Sequence, residues 1–215
     1  EFSSGEDDLV NGLVVFKDQH YIVINKPAGL PSQGGSKLNT WHVDFLSNGL
    51  RYNSMLKPKL VHRLDKDTSG ILVLARTSKA ATEFGKLLKE KKVNKIYWAL
   101  IAGVPKDLIG SISYGLMPRS TGLGGEKMIC TLPDEIVFNQ GAKTALTNFV
   151  IIEKLGQRVS WVGLSPVTGR KHQLRAHLAE IGSPILGDYK YGVKNQTNDG
   201  SGWGSQIGGE FSRKL

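Results

Sequence analysis

His62-Arg63-Leu64-Asp65-Lys66-Asp67-Thr68-Ser69-Gly70 leads directly into Ile71-Leu72-Val73-Leu74-Ala75. An apolar run of this kind reads as a buried strand, and Thr68-Ser69-Gly70 reads as the turn that feeds it. If Leu60 to Asp65 is also extended, side chains alternate between two faces. Arg63 and Asp65 then share one face, while Leu60, His62 and Leu64 point to the core. A carboxylate and a guanidinium together on a strand edge make an active-site lip. Asp67 is better explained as a short acceptor that stabilises the turn. A surface aspartate held by Lys66 or by backbone amides is the plain alternative for Asp65. The arginine on its face and the strand behind it favour the catalytic reading.

Working outward, Leu13-Val14-Val15-Phe16 and Tyr21-Ile22-Val23-Ile24 form a hairpin around Lys17-Asp18-Gln19-His20. Asn25-Lys26-Pro27-Ala28-Gly29 stops the second strand, since proline lacks a donor and glycine permits a turn. Pro31 to Lys37 reads as a polar loop. A short helix is expected from an N-cap at Thr40 through Val43, Phe45 and Leu46. Ser78 caps a helix to about Lys91, with Ala80, Phe84, Leu87 and Leu88 as its apolar stripe. Lys95 to Gly103 is a strand, and Pro118 to Gly125 a glycine-rich loop. Thr144 to Glu153 and Arg158 to Leu164 are strands. A helix from Lys171 to Ile181 ends at Gly182-Ser183-Pro184. Leu174, Leu178 and Ile181 form its core stripe, with Arg175 at the edge of that stripe beside Lys171. Arg175 is either part of a solvated basic face that snorkels over the core, which spacing alone favours, or a partly buried cation that needs an anionic partner.

The expected architecture is α+β: a mixed, largely antiparallel sheet with flanking helices and a central cleft. Residues 1–12 read as a disordered or appended tail and 13–215 as one catalytic domain. Residues 193–209 read as a flexible Gly/Asn/Ser loop.

Composition narrows the function. The 215 residues are 40% hydrophobic, enough for a full core, and no apolar run is long enough to cross a bilayer. Cys130 is the single cysteine, so an intrachain disulfide and a cysteine zinc site are both excluded. Lys and Arg number 28 against 19 Asp and Glu, a formal charge of +9. That excess points to a polyanion, most simply nucleic acid. Two of the basic clusters flank the richest motifs: Lys57, Lys59, Arg63 and Lys66 near Asp65, and Arg170, Lys171, His172 and Arg175 in the late helix.

His172 and His177 are five residues apart on a helix and diverge by roughly 140°, which is poor geometry for one metal ion. The phosphate-loop, dinucleotide, metalloprotease and nucleophile-elbow patterns are all missing. Tyr97 sits in a strand beside Trp98. It is either a core aromatic or a ring that stacks on a base.

Four blocks in order resemble the RluA-type pseudouridine synthases, which isomerise uridine in RNA. They are Asn25 to Leu30, His62 to Gly70, Lys95 to Ala99, and Thr168 to Leu178 with Gly182 to Asp188 and Tyr191-Gly192. The likeness runs from about Leu13 to Gly192 and is most similar to the large-subunit rRNA branch. It implies a pseudouridine synthase fold and an isomerase that flips its target base out of the stack. It assigns the catalytic carboxylate to Asp65 and a ring that stacks on the uracil to Tyr97. It assigns to Arg175 the guanidinium that pairs with the aspartate, and to Arg63 a part in displacing the target nucleotide. It gives Lys26 and Pro27 a supporting role. His62, Arg170, Lys171 and Leu174 join Arg63 as substrate-binding candidates.

The resemblance implies no metal and no cofactor. The expected partner is RNA, ribosomal first and transfer second, with no membrane, and the expected state is a monomer. Bacterial cytoplasm and mitochondrial matrix both fit. No S4-type RNA-binding module is expected before Leu13. The rival reading is a catalytically silent RNA-binding or ribosome-assembly factor of the same fold.

Overall fold

The computed structural model describes residues 4–35, 41–122, 126–139 and 141–192. The expected N-cap at Thr40 and the expected loop at 193–209 lie outside these residues. The chain divides into two compact units, one up to Val93 and one from Asn94 onward.

The first unit begins with helix α1 (Ser4–Gly12), not with the expected tail. Val10 explains the difference, because it is buried and gives the helix an apolar anchor. Strands β1 (Val14–Lys17) and β2 (Tyr21–Lys26) form the expected hairpin. Helix α2 (Val43–Leu46) is capped by His42, whose ring accepts from the backbone N–H of Phe45. A 3-10 turn over Ser47–Leu50 follows. Strand β3 (Lys59–Leu60), strand β4 (Gly70–Ala75) and helix α3 (Ser78–Lys89) complete the unit. Thr77, not Ser78, caps α3 by accepting from the N–H of Ala80.

The sheet runs β1-β2-β4-β3 and every pairing is antiparallel. Ile22 faces Leu74 and Ile24 faces Leu72, so all four share one face, and all four are fully buried. Val43, Leu46 and Leu50 are buried as well. Each such side chain contributes about 1.5–3 kcal/mol of burial free energy.

The expected strand from Leu60 to Asp65 is shorter than its pattern. Pairing ends at Leu60↔Leu74, and the next donor on β4, the N–H of Val73, is taken by Nε2 of His62. A side chain replaces the ladder there, and the backbone leaves the sheet before it reaches Asp65.

The second unit holds a five-stranded antiparallel sheet. Its strands are β5 (Tyr97–Ala102), β6 (Ile109–Ser120), β7 (Glu126–Thr131), β8 (Lys143–Leu155) and β9 (Val159–Pro166). Their order is β5-β9-β8-β6-β7. The expected loop at Pro118 instead continues β6, with Pro118 opposite Met128 of β7. Pairing of β6 with β8 has already ended at Leu116↔Lys143, so a proline there leaves no β8 acceptor waiting for its missing N–H. Gly115 lets the Pro133–Val137 turn approach β6, since a Cβ there would lie 2.6 Å from Ile136 and 2.3 Å from Thr131.

Helix α4 (Gln173–Glu180) covers one face of this sheet. Leu178 packs with Ile101, Ile112, Phe149, Val162 and Leu164, while Ala176 packs with Leu116, Met128, Ala145 and Tyr191. The opposite face carries a cross-strand row, Ile109–Val150–Gly163–Trp98, in which Ile109 and Trp98 are exposed.

Candidate active site

The turn that carries Asp65 is fixed on both sides. Before it, Ser32 Oγ donates to the carbonyl of Leu64 at 2.7 Å and accepts the N–H of Leu64 at 3.1 Å. Ser32 and Leu64 are both buried. After it, the carbonyl of Lys66 accepts from Lys26 Nζ at 3.1 Å and from the N–H of Gly29 at 2.9 Å. Gly29 has φ +86, the left-handed region that glycine enters at little cost. The N–H of Thr68 closes the turn onto the carbonyl of Asp65. Asp65 therefore sits between two anchored peptide groups. Its own side chain is half-buried, and Arg63 is exposed.

Lys26 is an uncommon anchor. The whole residue is buried, and its three N–H groups go to the carbonyls of Pro27, Leu30 and Lys66. An ammonium has three donors, so this set uses all of them. Burial pushes its pKa down to about 8, and the nearby charges of Asp67 and Asp65 oppose that shift. His62 serves the same unit: besides accepting from Val73, its ring stacks on Phe84 of α3.

In the second unit Tyr97 opens β5 opposite Leu164, and Tyr97 and Leu174 both pack against the Leu178 cluster. Tyr97 is partly buried. The helix carrying Arg175 is tied down by Gln173. Its amide oxygen accepts from Thr168 Oγ1 and from the N–H of Arg170, and its amide nitrogen donates to Leu146 O and Thr147 Oγ1. His172 precedes α4 with φ +51, and its Nδ1 lies 2.9 Å from the hydroxyl of Tyr191.

Arg175 is bound bidentately by Asp188, with Nε to Oδ2 at 2.7 Å and Nη2 to Oδ1 at 2.8 Å. This pair fixes the guanidinium plane and uses two of its five N–H groups. Burial pushes the Asp188 carboxyl upward. The hydrogen bonds and charge of Arg175 and the N–H groups of Tyr191 and Lys190 outweigh burial and hold it below the usual carboxylate range. The Tyr191 ring lies 5.0 Å from the Arg175 guanidinium. Arg170 Nε donates to the carbonyl of Thr144, and Lys171 pairs with Glu126 at 2.6 Å. Among the described residues no set of three or more His, Cys, Asp or Glu side chains is gathered to hold a metal ion.

Two of these relationships escaped the sequence. Ser32 fell in the segment that reads as a polar loop, and Asp188 closed one of the blocks that carry the family resemblance without a role of its own. The one available signal for Asp188 was a lone acid just beyond a helix whose arginine sits at the edge of a core stripe.

Comparison with known proteins decides the family. The profile described as RNA pseudouridylate synthase matches residues 20–180, well over half of the chain. The chain belongs to the RNA pseudouridylate synthase family. It is 41% identical to "RNA pseudouridine synthase 4, mitochondrial" of Arabidopsis thaliana, over 88% of this chain and 43% of that protein. It is 37% identical to "Ribosomal large subunit pseudouridine synthase C" of Rickettsia prowazekii (strain Madrid E), over 86% of this chain and 58% of that protein. The chain thus spans about half the length of the curated relatives it matches. Among solved structures it resembles "Human RNA Pseudouridylate Synthase Domain Containing 4", with a TM-score of 0.71 and 29% identity. That match covers 91% of this chain and 76% of that one. The α+β pseudouridine synthase fold expected from the sequence is the fold observed.

Proposed function

We propose that this chain carries the catalytic part of an RNA pseudouridine synthase that isomerises specific uridines in structured RNA. Ribosomal RNA is the first expected substrate and transfer RNA the second. The observation that carries the reading is the doubly anchored Asp65 turn in a member of this family.

The reaction breaks the bond from N1 of uracil to the ribose C1′, turns the base, and joins its carbon 5 to C1′. The proton on carbon 5 is then lost to solvent and N1, freed from the sugar, takes one up, so the product is an isomer of the starting nucleotide. A carboxylate placed at the sugar serves either as nucleophile at C1′ or as base at C2′. Asp65 is that group. A turn pinned at Leu64 and Lys66 holds its Cα still while the base moves, which is the positioning that such chemistry needs. Extruding a stacked base costs about a few kcal/mol. Tyr97 offsets part of this cost by stacking on the uracil, and Arg63 by filling the gap left behind. Arg175, with its plane set by Asp188, completes the catalytic set. Arg170, Lys171, His62 and Leu174 shape and charge the RNA-binding surface. The protein acts as a monomer without metal or cofactor, in bacterial cytoplasm or in the mitochondrial matrix.

The test uses RNA carrying tritium on carbon 5 of uridine. Release of tritium to water with no loss of free uracil supports the reading. An RNA-protein complex that releases no tritium from any cellular RNA would leave a silent binding factor instead.

A further inference from the structure

Tyr52 follows the Ser47–Leu50 turn and Arg51, and it has φ +51. The position after a helical turn that adopts this left-handed conformation is normally glycine or asparagine. A side chain other than that of asparagine or aspartate, whose short polar group bonds the local backbone, costs the fold about 1–2 kcal/mol there. The chain has an asparagine next door, Asn53, yet places tyrosine in the strained position. Such strain persists where a site makes use of it.

Tyr52 is 39% exposed, and two cations from separate segments converge on its ring. Lys17, at the end of β1, brings its ammonium within 3.7 Å of the ring centroid, and the guanidinium carbon of Arg76, just past β4, lies 5.9 Å away. Arg76 is itself anchored. Its Nη1 donates to the carbonyl of Asp18 and its backbone N–H to the carbonyl of His20. The Asp18 carboxylate accepts the N–H groups of Tyr21 and His20, bonds that hold it below the usual carboxylate range. Asp18 offsets one positive charge, and Lys17, Arg76 and exposed Arg51 leave the surface basic. Phe16 and Met55, on the same segments, are exposed as well. Exposed rings interleaved with cations are the pattern of a single-stranded nucleic-acid contact.

Strand register places this cluster. Tyr21 pairs with Ala75, just before Arg76, whereas Lys26, which anchors the Asp65 turn, pairs with Gly70 at the other end of the same two strands. Five residues of strand separate the two ends by about 17 Å.

We propose that Lys17, Tyr52 and Arg76 form a second RNA contact at the far end of this sheet from the Asp65 turn. The two cations take a phosphodiester, and the exposed tyrosine takes an unstacked base beside it. The proposal rests on the reading of the substrate as RNA. It adds a site that grips a flanking single-stranded nucleotide while the target uridine is held elsewhere.

The test compares wild type with Tyr52→Asn, which removes the ring and relieves the backbone, and with Lys17→Gln, which leaves the backbone alone. The thermal midpoint of Tyr52→Asn should equal or exceed that of wild type. Its affinity for a labelled oligouridine should fall roughly five- to tenfold. Lys17→Gln should lower the slope of log affinity against log salt by about one. Ultraviolet cross-linking of wild type to the same oligouridine should label the peptide containing Tyr52. Tritium release at saturating RNA should stay at the wild-type rate in both variants. Unchanged affinity and salt slope in both variants, with no cross-link at Tyr52, would overturn the proposal. If that occurs while wild type releases tritium, only this second contact fails. If the variants lose affinity while wild type releases no tritium, the contact stands and the catalytic reading fails.

Discussion

Ser32 and Leu64 are joined twice, by a hydroxyl that donates to the carbonyl and accepts from the N–H of the same buried residue. The contact lies immediately before Asp65 and closes a loop of 32 residues in sequence. Ser32→Ala strands a buried N–H and a buried carbonyl, and each unsatisfied group costs about 1–3 kcal/mol. The expected result is lower stability and a turnover rate reduced about tenfold with KM little changed, because the loss falls on placement of the carboxylate. Steady-state kinetics with saturating RNA checks the split; a pure KM effect would assign Ser32 to binding instead.

Lys26 makes a related prediction on the other side of the turn. Lys26→Met keeps most of the volume but leaves the carbonyls of Pro27, Leu30 and Lys66 without their shared donor. Stability should fall by at least about 2 kcal/mol. Denaturant melts at pH 7 give this difference directly.

His177 sets an acid limit. It is fully buried, faces Tyr114 at a centroid distance of 6.0 Å, and among the described residues neither ring nitrogen meets a partner. Burial pushes its pKa down to about 4 from 6.5. Between those values the unfolded chain binds the proton and the folded chain does not. Stability therefore falls as pH drops from 6.5 to 4, by at most about 3 kcal/mol from this group. His177→Phe should flatten that part of the pH–stability curve, as read by thermal melts across the window.

Asp188 holds Arg175 in a pair whose side chains are only 5% and 14% exposed. Removing one partner leaves the other charge buried, at a cost of about 3–5 kcal/mol. Asp188→Ala should show this loss. Asp188→Asn should retain more stability yet lower turnover, because a neutral amide no longer fixes the guanidinium as an ionised partner. Because the folded Asp188 pKa is depressed, its stabilising effect is present above the unfolded value and is lost as pH falls through the folded one.

What the sequence showed was periodic or local. The β1–β2 hairpin, α3, β8 and β9 follow from alternation and helical spacing, and Asp65 stands out because a turn and a buried strand frame it. What stayed hidden depends on contacts far apart in the chain. The Ser32 hydroxyl gives no sign in sequence that it meets Leu64, and Asp188 gives only a weak one that it meets Arg175, its place as an acid just beyond that helix. Strand β6 was missed because Gly110, Gly115 and Pro118 break its pattern. Gly110 is needed where the Phe149 ring would lie 3.0 Å from a Cβ, and Pro118 sits where β8 pairing has ended. The Leu60–Asp65 segment had the alternation of a strand but lost its partner to the ring of His62, a side-chain substitution that periodicity does not reveal.

The most direct test of the account is pseudouridine mapping with Asp65→Asn, which keeps the shape of the side chain and removes its charge. Carbodiimide labelling followed by reverse transcription, on RNA incubated with wild type or variant, should show new stops for wild type and none for Asp65→Asn. RNA affinity should be nearly equal for the two. Undiminished stops in the variant would contradict the claim that Asp65 carries the reaction.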